Sequence, residues 1–231
     1  MKIVITGGSY GIGLECVHKF LEFGHEVYNI DFVINPTLTA AVEHASKASG
    51  EVAYHFIQAD VGDYDTLPDI EDVQILINNA GVEHTDHDIQ TNLVGLINTT
   101  KKYGLQPSIR SILNMSSVSA HTGSEFPEYV ASKGGVLSYT KWTAQQIAKY
   151  GATCNSLSFG GVSTDINKPV LEDEALWDEI MQVTPLRKWV TPREAAQWMY
   201  FMTMMNTSCT GQDLIIDNGE SILTHFVWPD E

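Results

Sequence analysis

Tyr129 and Lys133 stand four residues apart in the stretch Tyr129-Val130-Ala131-Ser132-Lys133. On a helix of about 3.6 residues per turn, that spacing brings both side chains onto one face. A tyrosine hydroxyl titrates near ~10 and carries protons poorly at neutral pH. An ammonium one turn away stabilises the phenolate and draws that value down. The two residues together form a candidate acid/base couple. The same spacing also occurs on ordinary solvated helix faces, so the couple gains its meaning from what surrounds it.

A second constellation lies near the start, in Thr6-Gly7-Gly8-Ser9-Tyr10-Gly11-Ile12-Gly13. It follows the strand-like run Ile3-Val4-Ile5. After it, Ile12, Cys16, Val17, Phe20 and Leu21 recur at helical spacing up to Gly24. Glycines there allow a tight turn and let the backbone approach a pyrophosphate. The helix beyond offers free N–H groups and the positive end of its dipole. Gly7, Ser9, Tyr10, Gly11, Ile12 and Gly13 are therefore candidate cofactor contacts. Asp31 ends the next strand, at the distance expected of the acid that holds an adenosine ribose. A carboxylate accepts from the 2′-OH and repels a 2′-phosphate. Positions Ile30-Asp31-Phe32-Val33-Ile34-Asn35 hold no Lys or Arg. NAD(H) is expected over NADP(H).

Short apolar runs alternate with helical patterns throughout, the signature of βα units on a parallel sheet. Strands are predicted at Glu26 to Asp31, Val52 to Ala59, Val73 to Asn78, Ser108 to Ser116, Thr153 to Phe159 and Asp213 to Asp217. Asn35-Pro36 reads as an N-cap followed by proline at N1, opening a helix to about Ala48. A short helix is predicted over Tyr64 to Ile70 and a longer one from Asp88 to Tyr103. The helix bearing Tyr129 and Lys133 is predicted to end near Tyr150. The connection from Gly160 to Thr184 is long for a compact domain and suits a binding loop, with a small helix near Glu172 to Gln182. Thr191-Pro192-Arg193-Glu194 has capping-box spacing. The helix it opens carries Ala195, Trp198, Met199 and Met202 at core spacing. Phe226 and Trp228, in the tail, are suited to cover a neighbouring subunit.

The chain of 231 residues is long enough for one substantial core and is expected to form a single domain, 1–231, with a substrate loop at about 160–190. Asp and Glu outnumber Lys and Arg 29 to 13, a net charge of −16, which argues against nucleic acid or an anionic membrane as partner. Cys16, Cys154 and Cys209 are scattered and form no CxxC, so neither a disulfide framework nor a zinc knuckle is implied. No signal-peptide pattern and no membrane-spanning apolar run is present, and cytoplasm is expected. His84 and His87 lie three apart without an evident third ligand, and no catalytic metal is expected.

The ordered set of motifs resembles the short-chain dehydrogenase/reductase family, in its single-domain branch. Thr6 to Gly13 matches TGxxxGxG, and Tyr129 to Lys133 matches YxxxK. Asp60-Val61 is similar to the pair that holds the adenine edge. Asn78-Asn79-Ala80-Gly81 matches NNAG, and Asn92-Leu93-Val94-Gly95 the helix segment with the family's Asn. Asn114-Met115-Ser116-Ser117 resembles the strand end whose second serine is catalytic. Gly160 to Thr164 resembles the turn that meets the nicotinamide carboxamide, through Val162 and Thr164.

The resemblance implies a Rossmann-type three-layer α/β sandwich with a parallel seven-stranded sheet in the order 3-2-1-4-5-6-7. It implies NAD(H)-dependent interconversion of a secondary alcohol and a ketone. Ser117 would hold the substrate oxygen and Tyr129 would move its proton. Lys133 would hold the nicotinamide ribose, and Asn92 would position a water behind Lys133. Asp60, Val61, Asn79, Ala80, Gly81, Val162 and Thr164 would line the cofactor site. A homodimer or homotetramer acting on a small alcohol or ketone is implied. The ten residues from Val82 to Thr91 are fewer than the family usually places there, which predicts a more open cleft. Glu83, His84, His87 and His121 are expected at its mouth, with His121, Phe126 and Glu128 shaping substrate choice. Two other readings are a catalytically silent dinucleotide sensor and a dehalogenase-like lyase on the same fold. Retention of both Tyr129 and Lys133 speaks against the first, and the intact glycine turn and Lys133 against the second.

Overall fold

The computed structural model describes residues 1–40, 53–124 and 126–222. Seven strands form one parallel sheet: β1 (Lys2–Thr6), β2 (Glu26–Asp31), β3 (Tyr54–Gln58), β4 (Ile75–Asn78), β5 (Ser111–Ser117), β6 (Thr153–Phe159) and β7 (Asp213–Ile216). Their order is β3-β2-β1-β4-β5-β6-β7, as expected. The order reverses beside β1, between β2 and β4. In open α/β sheets such a switch point leaves a crevice at the C-terminal strand ends.

The strands read as unbroken apolar runs because both faces of the sheet are covered. Ile3 and Ile5 point into one layer, with Val17 and Phe20 of α1 (Gly11–Glu22). Val4 and Leu76 point into the other, with Tyr103 and Ile147. The second layer is built by two helices. One, α2, runs through consecutive segments Gln90–Gly95, Leu96–Thr99 and Thr100–Gly104, the first and last wound with π-helical spacing. After the short turn α3 (Ser119–Thr122) comes α4 (Pro127–Ile147), with proline at its start. The connection after β6 holds α5 (Lys168–Leu171) and α6 (Glu174–Gln182). The helix α7 (Pro192–Tyr200) begins with the full capping box: Thr191 Oγ1 accepts from the Glu194 N–H, and Glu194 accepts from the Thr191 N–H.

A string of buried amides and hydroxyls crosses the middle of the sheet. Asn78 and Asn114 are register partners on β4 and β5. Asn78 Nδ2 donates to Asn114 Oδ1 at 2.8 Å, and Asn114 Nδ2 donates to Thr140 Oγ1 of α4 at 2.9 Å. Thr99 Oγ1 of α2 donates to Asn78 Oδ1 at 2.6 Å. Every member is buried and hydrogen-bonded, the condition under which polar groups are tolerated in a core.

Several predicted bounds shift. The helix expected over Tyr64 to Ile70 is a single turn, Tyr64–Thr66. Leu67 is extended because it precedes Pro68, which disfavours helical backbone there. The strands expected from Val73 and Ser108 begin at Ile75 and Ser111; Ser108 Oγ instead donates to the Val73 carbonyl in the entry turns. Trp198 faces outward and meets Phe201 edge to face, whereas Ala195, Met199 and Met202 are core. Asn35 caps its helix through Oδ1, which accepts from the N–H groups of Thr37 and Leu38. The far end of that helix, the start predicted at Val52 and the aromatic tail lie outside the described residues.

Candidate active site

A cleft of about 1190 Å³ opens at the C-terminal edge of the sheet, over the switch point. Gly7, Tyr10, Gly11, Ile12 and Gly13 line one end, with Asp31, Asp60, Val61, Asn79, Ala80 and Gly81. Ser117, Tyr129 and Lys133 also line it, as do Val162 and Thr164, the latter beside the glycine turn, where a Cβ on Gly11 would stand 3.6 Å from the Thr164 methyl. A smaller groove of about 550 Å³ between α1 and α7, lined by Glu15, His18 and Arg193, holds none of the candidate residues.

The glycine turn is dense. A Cβ on Gly13 would lie 2.0 Å from the Gly7 carbonyl oxygen, and one on Gly7 would lie 2.7 Å from Ala80 Cα. Gly7 and Gly11 have φ of 67° and 55°, in the left-handed region. Asn79 Nδ2 fastens the turn by donating to the carbonyls of Thr6 and Gly7, so its side chain acts on the protein rather than outward. Tyr10 occupies the N-cap of α1 and supplies no side-chain cap. The first-turn N–H groups of α1 therefore face the cleft without a side-chain acceptor, which suits a diphosphate.

Asp31 is held by two N–H donors, from Ser9 to Oδ2 at 2.9 Å and from Val33 to Oδ1 at 3.1 Å. Ser9 does not line the cleft, contrary to expectation. It is fully buried, its hydroxyl accepts from Asn29 Nδ2, and its carbonyl accepts from Asn35 Nδ2. It serves the cofactor end by fixing Asp31.

Tyr129 and Lys133 share the cleft face of α4, with Lys133 Nζ 5.5 Å from the Tyr129 ring centroid. Lys133 is buried and its ammonium donates to the Met115 carbonyl at 3.1 Å. Burial lowers its pKa from 10.5 to about 8, against the upward pull of the Glu83 and Asp88 carboxylates. Ser116 and Ser117 point to opposite faces of β5. Ser116 Oγ donates to the Lys133 carbonyl, which steadies α4. Ser117 Oγ faces the cleft, shares a hydrogen bond with Ser119 Oγ at 2.9 Å and accepts from the Ser119 N–H.

Asn92 lies behind this group and does not itself line the cleft. Its Oδ1 accepts from the Val82 N–H, and Nδ2 donates to the Val82 carbonyl and to Ser132 Oγ. It ties the end of β4, α2 and α4 together. Asn92 Oδ1 and Lys133 Nζ both lie within 3.5 Å of the point where a Cβ on Gly81 would stand.

The shortened segment after Gly81 is built around Asp88. Its buried carboxylate accepts from the His84 N–H, the Thr85 N–H and Thr85 Oγ1. Glu83 and His87 line the cleft as expected. His84 and His121 do not. The His84 ring packs on Phe126 at 3.8 Å between centroids, and His121 Nε2 pairs with Asp213 Oδ2 at 2.9 Å. Phe126 and Glu128 also stand outside the lining. Among the described residues no group of three His, Cys, Asp or Glu is placed to hold a metal.

Sequence reasoning missed Trp189, Ile180, Val170 and Glu220, which close the far end of the cleft. One signal was present in Gly160-Gly161. The Trp189 ring lies on Gly161, where a Cβ would meet it at 2.1 Å.

A seven-stranded parallel sheet with this order and a Tyr-Lys pair over its switch point defines a Rossmann-type dinucleotide enzyme. The chain matches the short chain dehydrogenase family over residues 1–175. It is 31% identical over 242 residues to the 3-oxoacyl-(acyl-carrier-protein) reductase of Chlamydia pneumoniae, covering 94% of this chain and 96% of the relative. The corresponding reductase of Staphylococcus epidermidis is 27% identical over 240 residues, covering 94% and 97%. Among solved structures, a 4-hydroxyisoleucine dehydrogenase mutant complexed with NADH and succinate superposes with a TM-score of 0.83 at 25% identity, over 97% of this chain and 100% of that one. Gluconate 5-dehydrogenase from Burkholderia cenocepacia, with NADP and tartrate, gives 0.81 at 23% identity, over 96% of each, and shares the fold. The chain belongs to the short-chain dehydrogenase/reductase family. It is an NAD(P)-dependent oxidoreductase acting on CH–OH groups of small molecules. Among the described residues no helix is long and apolar enough to cross a membrane.

Proposed function

We propose that this protein interconverts a secondary alcohol and a ketone with NAD(H), as a single domain assembled into a homodimer or homotetramer. The observation that carries the reading is the Lys133 ammonium, buried 5.5 Å from the Tyr129 ring, in the cleft that the glycine turn opens. When bound, the nicotinamide supplies or accepts the hydride. Ser117 Oγ orients the substrate oxygen. Tyr129 gives a proton to that oxygen in reduction and takes one in oxidation, while the charge of Lys133 favours its phenolate. Asn92 Oδ1 and Lys133 Nζ flank one point beside Gly81, which supports a water shared between them as the route to solvent.

The preference for NAD(H) rests on Asp31. Two backbone donors hold its carboxylate at the cleft edge, and no Lys or Arg stands among positions 30 to 35. Like charges about 4 Å apart near a surface repel by about 4 kcal/mol before salt screening, enough to disfavour a 2′-phosphate strongly. Competing initial rates with NADH and NADPH test this, and a clear NADPH preference overturns it.

Tyr129→Phe tests the proton transfer. With secondary alcohols and NAD⁺, kcat is expected to fall at least ~100-fold while NADH still binds. Retained turnover removes Tyr129 from the reaction. The likeness to 3-oxoacyl-(acyl-carrier-protein) reductases favours a second reading, reduction of a 3-oxoacyl thioester. Faster turnover of such a thioester with NADPH than of any simple ketone with NADH would establish it.

A further inference from the structure

We propose that His121 and Asp213 are positioning residues for Ser117, acting through Ser119; this rests on the alcohol–ketone reading above. A serine hydroxyl carries one proton and two lone pairs, so its neighbours decide where that proton can point. Ser119 supplies two contacts to Ser117. Its N–H donates to Ser117 Oγ at 3.2 Å, and its own Oγ lies 2.9 Å from the same oxygen. The direction of Ser117 therefore depends on where α3 holds Ser119.

The internal bonds of α3 are local. The His121 and Thr122 N–H groups donate to the Val118 carbonyl at 2.9 and 3.0 Å, and the Gly123 N–H donates to the Ser119 carbonyl at 2.9 Å. A helix this short does not hold its shape by itself in water. Long-range bonds moor it to the sheet. The Val118 N–H donates to the Phe159 carbonyl of β6 at 3.0 Å. His121 Nε2 lies 2.9 Å from Asp213 Oδ2, at the start of β7, and 3.3 Å from the buried Ser158 Oγ of β6. A carboxylate only accepts, so Nε2 carries a proton. Asp213 is itself fixed: its Oδ1 accepts from Ser156 Oγ at 2.6 Å, and Ser156 is its register partner on β6. Ser117 in turn is the register partner of Phe159. The serine and the turn that directs it are thus both referred to β6. The His121 side chain is 32% exposed and that of Asp213 14%. An ion pair so placed contributes little to stability, so its loss should shift α3 without unfolding the protein.

The test oxidises a panel of secondary alcohols with NAD⁺ and carries the best substrate through a set of variants. His121→Leu keeps the bulk and loses the bond. Its kcat should fall about tenfold while NADH affinity, read by fluorescence, stays within about twofold. His121→Gln, whose amide N–H can reach Asp213, should recover most of that loss, and adding Asp213→Ala should abolish the recovery. Ser119→Ala should lower kcat by itself, and its combination with His121→Leu should lose less than the product of the two single losses. Unchanged kcat or loss of the fold in His121→Leu, equal losses in His121→Leu and His121→Gln, or losses that multiply across His121 and Ser119 overturn the inference and leave the alcohol–ketone reading intact. Turnover of no alcohol and no matching ketone by the unaltered protein removes that reading and this inference with it.

Discussion

Replacing Lys133 by methionine should make the protein more stable and leave it inactive. The ammonium is buried, and its pKa falls from 10.5 to about 8 because burial penalises the charged form. An unfolded chain keeps the ordinary lysine value. At pH 7 the folded protein therefore holds a charge at a cost of about 3 kcal/mol relative to the unfolded chain. Methionine has a similar length and no charge, so it removes this cost. It also removes the hydrogen bond to the Met115 carbonyl, worth about 1 kcal/mol. The net expectation is a gain on the order of 1–2 kcal/mol.

The sign with pH is fixed. Between about 8 and 10.5 the unfolded chain binds more protons at this position than the folded one, so wild-type stability rises with pH across that window. The advantage of Lys133→Met is then largest below pH 8 and shrinks towards pH 10.5. Urea unfolding of both ligand-free proteins at pH 7 and pH 9.5 measures it. A variant less stable than wild type at pH 7, or a difference independent of pH, refutes the reasoning. A gain in stability that shrinks with pH would mean that the lysine is retained for function at the expense of stability, as strained sites often are.

Two further substitutions probe the elements that place the site. Gly13→Ala puts a Cβ where 2.0 Å separates it from the Gly7 oxygen, so the turn must open; NADH affinity measured by fluorescence should drop at least ~30-fold. Thr191→Ala breaks the capping box at α7 without altering a residue that lines the cleft, and should cost ~1 kcal/mol in urea unfolding with kcat unchanged.

The sheet was legible because its strands are buried on both faces and its helices carry their own start signals. Asn35 and Thr191 cap as their side chains predict, through bonds spanning no more than three residues. The Tyr129–Lys133 face and the glycine turn were legible for the same reason: their geometry is local. What failed depends on distant partners. Ser9 sits in a cofactor motif, yet Asn29 and Asp31, twenty and twenty-two residues away, decide its direction. Trp198 keeps core spacing but lies at the margin of its helix's buried stripe. His121 is claimed by Asp213 across 92 residues. Glu220 and Trp189 reach the cleft from loops, where no periodicity announces a side chain's direction.

The buried amides at the centre of the sheet carry a consequence for the reaction itself. Asn78, Asn114, Thr99 and Thr140 bind two strands and two helices in one register, so a slip of one residue would orphan several of them at once. Ser117 lies three residues beyond Asn114, and Tyr129 about three helical turns before Thr140. The serine and the tyrosine are thus indexed to each other by a ruler lodged in the core. Alignment of the reacting groups is a property of the whole scaffold, and an apolar replacement at Asn114 would detune catalysis from a position no substrate ever meets.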